Sequence, residues 1–471
     1  MITIDKKKAY AVLAAALLLA SCVTKKYQQP GLDFKGKLYR DTTVTDTTTI
    51  ANLPVNQLFT DTVLQNLINE GLRENLDLKT AVQRINEAQA NLQQSKAAFL
   101  PSLSGSVQAT RAKQSAAGLN FPPEFAGAFN LVTTTYQAGL NTSWEADIWG
   151  KLSSAKRQAL AGLLQTDAAK RAVQTQLIAN IANSYYNLLA LDKQLQITEQ
   201  TLKNRITDVE TMKALKEGAI VTGAAVVQSE ANRYAAEVTI PDLKRSIRET
   251  ENSLSILLAR SPGSIKRASL TEQVPYQNLQ TGVPSQLLKN RPDVQQAEYS
   301  FRSAFENTNV ARAYFYPSLT ITAQGGVSSL RIKSLFDNSI FYNIVGGLTQ
   351  PIFNKGLNKS RLRIAQAQQQ EAYYAFQQSL LTAGSEVSNA LYAYQTAVEK
   401  QNSRAKQLKA LEKAVDYTKE LLRYSSSTNY TDVLTSEQSL LSAQLSSVND
   451  RLQELQAIVN LYKALGGGWK Q

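Results

Sequence analysis

The sequence has no histidine and a single cysteine, Cys22. A Ser-His-Asp or Cys-His triad, a His-based metal site and an internal disulfide are therefore excluded. Charge is sparse too: Asp, Glu, Lys and Arg make up 19% of 471 residues, below the usual quarter. No Gly-rich loop of nucleotide-binding spacing occurs, and the carboxylates are spread along helix-like repeats. Lys and Arg outnumber Asp and Glu by 51 to 38, but past the N-terminus they are scattered, without the compact basic run that grips nucleic acid. No apolar run is long enough to span a bilayer as a helix; the longest, Ala9 to Ala20, is too short and too early. A non-enzyme without metal, cofactor or nucleic-acid partner is the expectation.

The N-terminus carries Lys6-Lys7-Lys8, that apolar run, and then Leu19-Ala20-Ser21-Cys22, the layout of a secretory signal. Leu-Ala-Ser-Cys resembles the bacterial lipobox, which implies that residues 1–21 are a signal peptide and that Cys22 becomes the acylated first residue. Several acyl chains, at about 0.8 kcal/mol per buried methylene, give stable membrane attachment. Val23 follows where many inner-membrane lipoproteins have Asp, which favours outer-membrane sorting. Loss of Lys6, Lys7, Lys8 and Asp5 lowers the formal charge from +13 to +11. Residues 22–60 are polar, with Asp41 to Thr49 at their centre, and read as an extended leader over a surface.

The rest is an internal duplication. Ala98-Phe99-Leu100-Pro101-Ser102-Leu103 returns as Tyr314-Phe315-Tyr316-Pro317-Ser318-Leu319, each closing a Gln/Ala-rich helical segment and opening a Ser/Thr-rich alternating one. Ile148-Trp149-Gly150-Lys151 and Ile352-Phe353-Asn354-Lys355 mark a second junction, where alternation gives way to long helical sequence. The first repeat, 61–283, is predicted to hold a helix from Asp61 to Phe99, strands over 102–113 and 134–149, and a long helical hairpin. The second, 284–471, holds a helix from Arg291-Pro292-Asp293, strands over 318–330 and 339–353, and a second hairpin. In Tyr136 to Ile148 the even positions are mostly apolar and the odd ones polar, with Glu145 and Asp147 on the polar face; near-strict alternation this long suits a strand between lipid and water. Four strands cannot close a barrel, and open edges are not tolerated in hydrocarbon, so a membrane role demands several chains.

The long helices keep a seven-residue beat: Ile181, Tyr185 and Leu188; Leu380, Ala383 and Val387; Leu441, Leu445 and Val448. Such heptads call for coiled-coil packing. A helix from Leu152 to Lys216 would extend on the order of 100 Å at about 1.5 Å per residue, a device for distance and not for enclosing a substrate. The hairpins turn at Gly218 to Gly223 and Ser425 to Asn429, Pro241 predicts a kink in the first returning strand of helix, and Ser261 to Pro284 reads as a linker. Pro292 and Asp293 have helix-start chemistry. Trp144 and Trp149 suit a bilayer interface, with core packing as the competing account.

Taken in order, Trp144 to Gly150, Arg291-Pro292-Asp293, Ala311 to Leu319 and Asn429-Tyr430-Thr431-Asp432-Val433-Leu434 resemble the TolC-like outer-membrane efflux family, specifically its NodT-type lipoprotein branch, over essentially the whole mature chain. The resemblance implies an α+β membrane protein: a homotrimer with four strands per chain in a shared twelve-stranded β-barrel, continued by a periplasmic α-helical coiled-coil barrel. Its partners would be outer-membrane lipid, a periplasmic adaptor and an inner-membrane pump of the resistance-nodulation-division type. The tips, here Gly218, Thr222 and Gly223 with Ser426, Ser427 and Thr428, would contact the adaptor, and Asp416, Tyr417 and Arg423 are candidates for closing an iris. A solvated helix face is the competing account of those three. The second tip departs from the Gly-acidic pair of many relatives, which points to neutral hydrogen bonds instead of an acidic ring. The alternatives are a protein-secretion duct of the same family and a periplasmic adaptor lipoprotein, although an adaptor would show one hairpin between compact β domains.

Overall fold

The computed structural model describes residues 24–31, 38–40, 47–115, 131–424 and 430–470, with the side chains of Pro284 and Arg423 outside the description. The duplication is written in the element lengths. Helix α2 (Leu76–Ala97) and helix α5 (Pro292–Ala313) have 22 residues each. Helices α3 (Lys151–Glu217) and α6 (Leu357–Tyr424) have 67 and 68. Helices α4 (Gly223–Leu257) and α7 (Tyr430–Ala464) have 35 each. Helix α1 (Thr62–Glu74) has no counterpart of its length in the second half. Asp61 caps it by accepting from the Val63 and Leu64 amides at 2.8 and 3.4 Å. The expected single helix to Phe99 is thus two: Asn75 leaves helical geometry, accepts from the Leu78 amide at 3.0 Å and donates to the Leu257 carbonyl at 2.9 Å.

The chain divides into two compact units. One comprises residues 24–30, Asn86–Leu164 and Glu298–Tyr374. It contains an antiparallel sheet in the order β1 (Ser102–Lys113), β2 (Val132–Ala146), β3 (Ser318–Ser329) and β4 (Ile340–Thr349). The register places Leu103, Thr142, Ala323 and Ile344 in one row and Val107, Ala138, Val327 and Ile340 in another. Strand β2 stops at Ala146 and not at residue 149, and β4 stops at Thr349 and not at 353. Pro351, without an N–H, follows closely, and Ile352 beyond it is fully exposed. At Gly326 of β3 an added Cβ would lie 2.2 Å from the Ala138 carbonyl oxygen of β2. Only glycine permits that pairing.

The other unit comprises Gly31–Ile85, Gln165–Ala297 and Ala375–Gln471. Its core takes the heptad residues Ile181, Tyr185, Leu188, Leu380, Ala383, Val387, Leu455 and Tyr462. The leader and the linker are less loose than their polarity predicts. Ile50, Val55, Leu58 and Phe59 of the leader and Ile265 and Leu270 of the linker are buried in the same core, and Thr49 bridges Thr281. Arg267 of the linker pairs with Asp192 and, at 2.5 Å, with Glu251. That pair accounts for the carboxylate of Asp192 on α3. Helix α4 runs continuously through Pro241. Among the described residues no helix is long and apolar enough to cross a membrane.

Candidate functional site

Alternation in the strands separates two chemistries. One face of the sheet carries Leu103, Val107, Leu140, Trp144, Ile321, Ile340, Tyr342, Ile344 and Leu348. These side chains are exposed, Val107 by 86% and Ile340 by 85%, an area that a lone soluble sheet does not leave in water. The other face carries Ser102, Ser104, Ser106, Gln108, Gln137, Asn141, Ser143, Thr320, Thr322, Gln324 and Asn343. Its one charged side chain among the described strand residues is Glu145, opposite Thr320, and the rest is hydrogen-bonded across strands: Gln108 donates to Gln137 at 3.1 Å and Asn141 to Ser106 at 3.2 Å. Among the described residues β1 and β4 each have one neighbour, so both edges of the sheet are unpaired there.

The strand ends are fixed by the repeated motif. The indole N–H of Trp144 donates to the Phe99 carbonyl at 2.9 Å, and that of Trp149 to the Pro317 carbonyl at 2.7 Å. Trp149 also stacks on Tyr316 with centroids 5.0 Å apart. Asn358 donates to the Tyr314 carbonyl at 2.8 Å and Gln350 to the Phe315 carbonyl at 3.2 Å, so each proline turn is held through its backbone. Asp147, expected on the polar strand face, lies past the strand end and caps α3: its carboxylate accepts from the Leu152 and Ser153 amides at 2.8 Å each. Glu145 pairs with Lys151 at 2.6 Å.

Helix α5 opens as predicted, with Pro292 first and Asp293 in the first turn. Helix-start chemistry leaves Arg291 unexplained. It is 4% exposed, pairs with Asp293 and Glu386 at 2.5 and 2.6 Å, and donates to the Ala464 carbonyl at 3.0 Å. Burial works against charge on both Arg291 and Asp293, but their mutual hydrogen bond and attraction prevail: the guanidinium pKa is raised and the carboxyl pKa lowered.

At the first tip, α3 ends in a Schellman motif, with the Ile220 amide donating to the Leu215 carbonyl at 2.9 Å and the Ala219 amide to the Lys216 carbonyl at 3.0 Å. The left-handed residue is Ala219, at φ 55°, and not either tip glycine. Thr222 is the N-cap of α4 and Gly223 its first residue. Ser426, Ser427 and Thr428 lie outside the described residues, as does Cys22. Asp416 and Tyr417 are exposed on α6; Tyr417, Leu421 and Tyr424 form an exposed stripe at helical spacing that ends at this tip.

Behind the tip, α3, α4 and α7 meet in a small core of Met212, Val226, Tyr430 and Val433, with Leu422 of α6 packed against it. Sequence reasoning missed the polar cluster beside it. Arg205 is buried, donates to the Asn232 carbonyl and, at 2.7 Å, to Gln438. Lys419 pairs with Glu437 at 2.5 Å, and Tyr430 donates to Ser229 at 2.8 Å. Asp208 has a buried Oδ2 without a donor. Burial, then the charge of Glu437, push its pKa up to about 6, so the two carboxyl groups are hydrogen-bonded only when they share a proton. Burial opposes the Lys419 ammonium, but its bond to Glu437 raises its pKa. The signal was present: Arg205, Asp208, Val209 and Met212 fall at i, i+3, i+4 and i+7, one helix stripe. Among the described residues no cluster could hold a metal ion.

Two segments, 67–260 and 283–467, match the family model described as outer membrane efflux protein. The cation efflux system protein CusC of Escherichia coli O6:H1 is 30% identical over 466 residues, covering 97% of this chain and 98% of that one. The probable outer membrane lipoprotein SilC of Salmonella typhimurium is 28% identical over 468 residues, with 97% and 98% covered. The open state of the Neisseria gonorrhoeae MtrE outer membrane channel superposes with a TM-score of 0.83 at 27% identity, over 95% of this chain and 98% of that one. Fold, strand faces and sequence thus agree, and the chain belongs to the outer membrane efflux protein family, an efflux component of the outer membrane.

Proposed function

We propose that three copies of this chain form the outer-membrane duct of a tripartite efflux pump, each of the halves 61–283 and 284–471 supplying two strands and a helical hairpin. The observation that carries this reading is the open four-stranded sheet with one exposed apolar face, one polar face and two edges unpaired among the described residues. In hydrocarbon such edges must pair, and four strands are too few to close. Twelve strands from three copies put the apolar face against lipid and the Ser/Thr/Asn/Gln face around a water-filled lumen. The one charged strand residue on that face, Glu145, is paired with Lys151, so the lumen imposes little charge selection and leaves cargo choice to an inner-membrane pump.

The hairpin tips would engage the periplasmic adaptor through Gly218, Thr222 and Gly223 and through Ser426, Ser427 and Thr428. The exposed Tyr417, Leu421 and Tyr424 stripe supports a helix-packing role there. Asp416, Tyr417 and Arg423 remain the proposed iris residues. Acylation at Cys22 would tether the leader, whose Tyr27 ring packs on Phe301 and Phe305 at 5.9 and 5.6 Å and whose Lys25 backbone is paired on both sides by Asn309, at 3.1 and 2.9 Å. The same features would serve a protein-secretion duct. Deleting the protein separates the two: sensitivity to toxic small molecules is expected, and unchanged tolerance across a broad panel refutes the efflux assignment. In membrane fractions a heat-labile oligomer is expected with the outer membrane; recovery with the inner membrane refutes the duct. Cys22→Ser should lose acyl label, and crosslinks from Gly218 or Ser426 should capture the adaptor. Asp416→Ala and Arg423→Ala should each raise single-channel conductance, and unaltered conductance returns both to a solvated face.

A further inference from the structure

The outward face of β1 changes character along its length. Leu103, Val107 and Ala109 are apolar, and then the same face continues with Arg111 and Lys113, paired in register with Thr134 and Val132. From Trp144 to Thr134, the residue opposite Arg111, is ten positions, about 34 Å of strand at about 3.4 Å per residue. A tilt of about 40° reduces this to about 26 Å of height, the thickness of the apolar band of a transmembrane barrel. Arg111 and Lys113 therefore fall where hydrocarbon ends, on the lipid side, at the sheet end away from the strand-to-helix junctions.

The second repeat adds to the same end. Strand β3 stops at Ser329, and the turn after it carries Arg331 and Lys333, both exposed. None of the four cations makes a side-chain hydrogen bond or ion pair among the described residues. Acids are few here: Asp337 in the β3–β4 turn, and in the sequence between β1 and β2 only Glu124. Soluble-facing surfaces mix both signs. An unpaired cationic rim just outside an apolar band is instead complementary to anionic headgroups, each cation near a charged lipid surface contributing about fivefold in affinity.

We propose that Arg111, Lys113, Arg331 and Lys333 form a binding rim for phosphate-bearing lipid headgroups of the outer leaflet. The proposal rests on the barrel reading above. The test uses the full-length protein in neutral detergent, titrated with bisphosphoryl lipid A. Binding that weakens with salt is expected. So are a loss of about fivefold per cation removed in Arg111→Gln/Lys113→Gln and in Arg331→Gln/Lys333→Gln, and tighter binding in Asp337→Asn. Inorganic phosphate at equal concentration should not compete. Salt-independent binding, or full affinity with all four cations replaced, overturns the rim; effective competition by phosphate overturns the lipid as its ligand. Heat-labile, conducting oligomers of the glutamine variants show that they fold. If the wild type forms none, the barrel reading itself fails, and the rim with it.

Discussion

Replacing Asp208 by Asn tests whether the tip is tuned by a shared proton. Folding raises the Asp208 pKa from its ordinary 3.8 to about 6, so between those values the folded tip holds a proton that the unfolded chain releases. Stability must therefore fall as pH rises through that window and stay low above it. At full weight the difference is roughly 3 kcal/mol at neutral pH. The carboxyl is partly exposed, and solvent screening reduces the expectation to about 1–2 kcal/mol. Asn has the same shape and no charge, so it relieves the repulsion from Glu437 that the wild type meets only above pH 6.

Amide hydrogen exchange of residues 205–215 and 430–440 reads this locally, because opening of the tip need not involve the sheet. Comparing variant and wild type at one pH cancels the intrinsic exchange rate. At pH 7.5, Asp208→Asn should slow exchange by about 5- to 30-fold, the equivalent of about 1–2 kcal/mol; at pH 4 the two proteins should be close to each other. Equal slowing at both pH values would refute the shared-proton account, because only the charged form is penalised. Faster exchange at pH 7.5 would refute it as well, and would identify Asp208 as a stabilising partner of Lys419 or Arg205.

Arg291→Met should destabilise the helical unit by about 2–4 kcal/mol, since the Ala464 carbonyl loses its donor while Asp293 and Glu386 can turn to solvent; thermal melting followed by circular dichroism measures it, and an unchanged midpoint refutes it. Trp149→Phe keeps the stack on Tyr316 but leaves the Pro317 carbonyl without its donor, costing about 1–2 kcal/mol, seen as a lower dissociation temperature of the oligomer in detergent; no shift would make the stack the important contact. Ala219→Gly should stabilise the first tip by about 0.5–1 kcal/mol, because glycine occupies the left-handed region without strain, and slower tip exchange is the readout.

Much of the fold was legible because two periods dominate the sequence. Strand alternation located β1 at its observed limits, and the heptads of Ile181 to Leu188 and Leu380 to Val387 named core residues. Alternation misled at strand ends, where local chemistry overrides it: Asp147 continues the polar face on paper but caps α3 in space, and Ile352 continues the apolar face beyond a proline that cannot pair. The leader failed for the opposite reason. Its anchors, Tyr27, Ile50, Val55 and Phe59, are isolated apolar residues without a period, and only their long-range partners make them core. Arg291 and Asp208 were invisible individually because a charged side chain reads as solvated until its burial is known.

The distribution of core within the helical unit bears on how the proposed duct would open. The large cluster joins leader, linker and heptad helices, and no part of it can move without exposing many buried side chains. Beside the tip the apolar core is Met212, Val226, Tyr430 and Val433, worth about 1.5–3 kcal/mol each before conformational entropy is subtracted. The adjacent polar cluster subtracts further above pH 6, since Asp208 and Glu437 then repel. A partner docking on the tip therefore needs only a few kcal/mol of differential affinity to separate these helices, an amount within reach of an ordinary helix contact. In the proposed duct, weak packing at the tip would let a docking adaptor open it, and Asp208→Asn, by strengthening that packing, should make it harder to open at neutral pH.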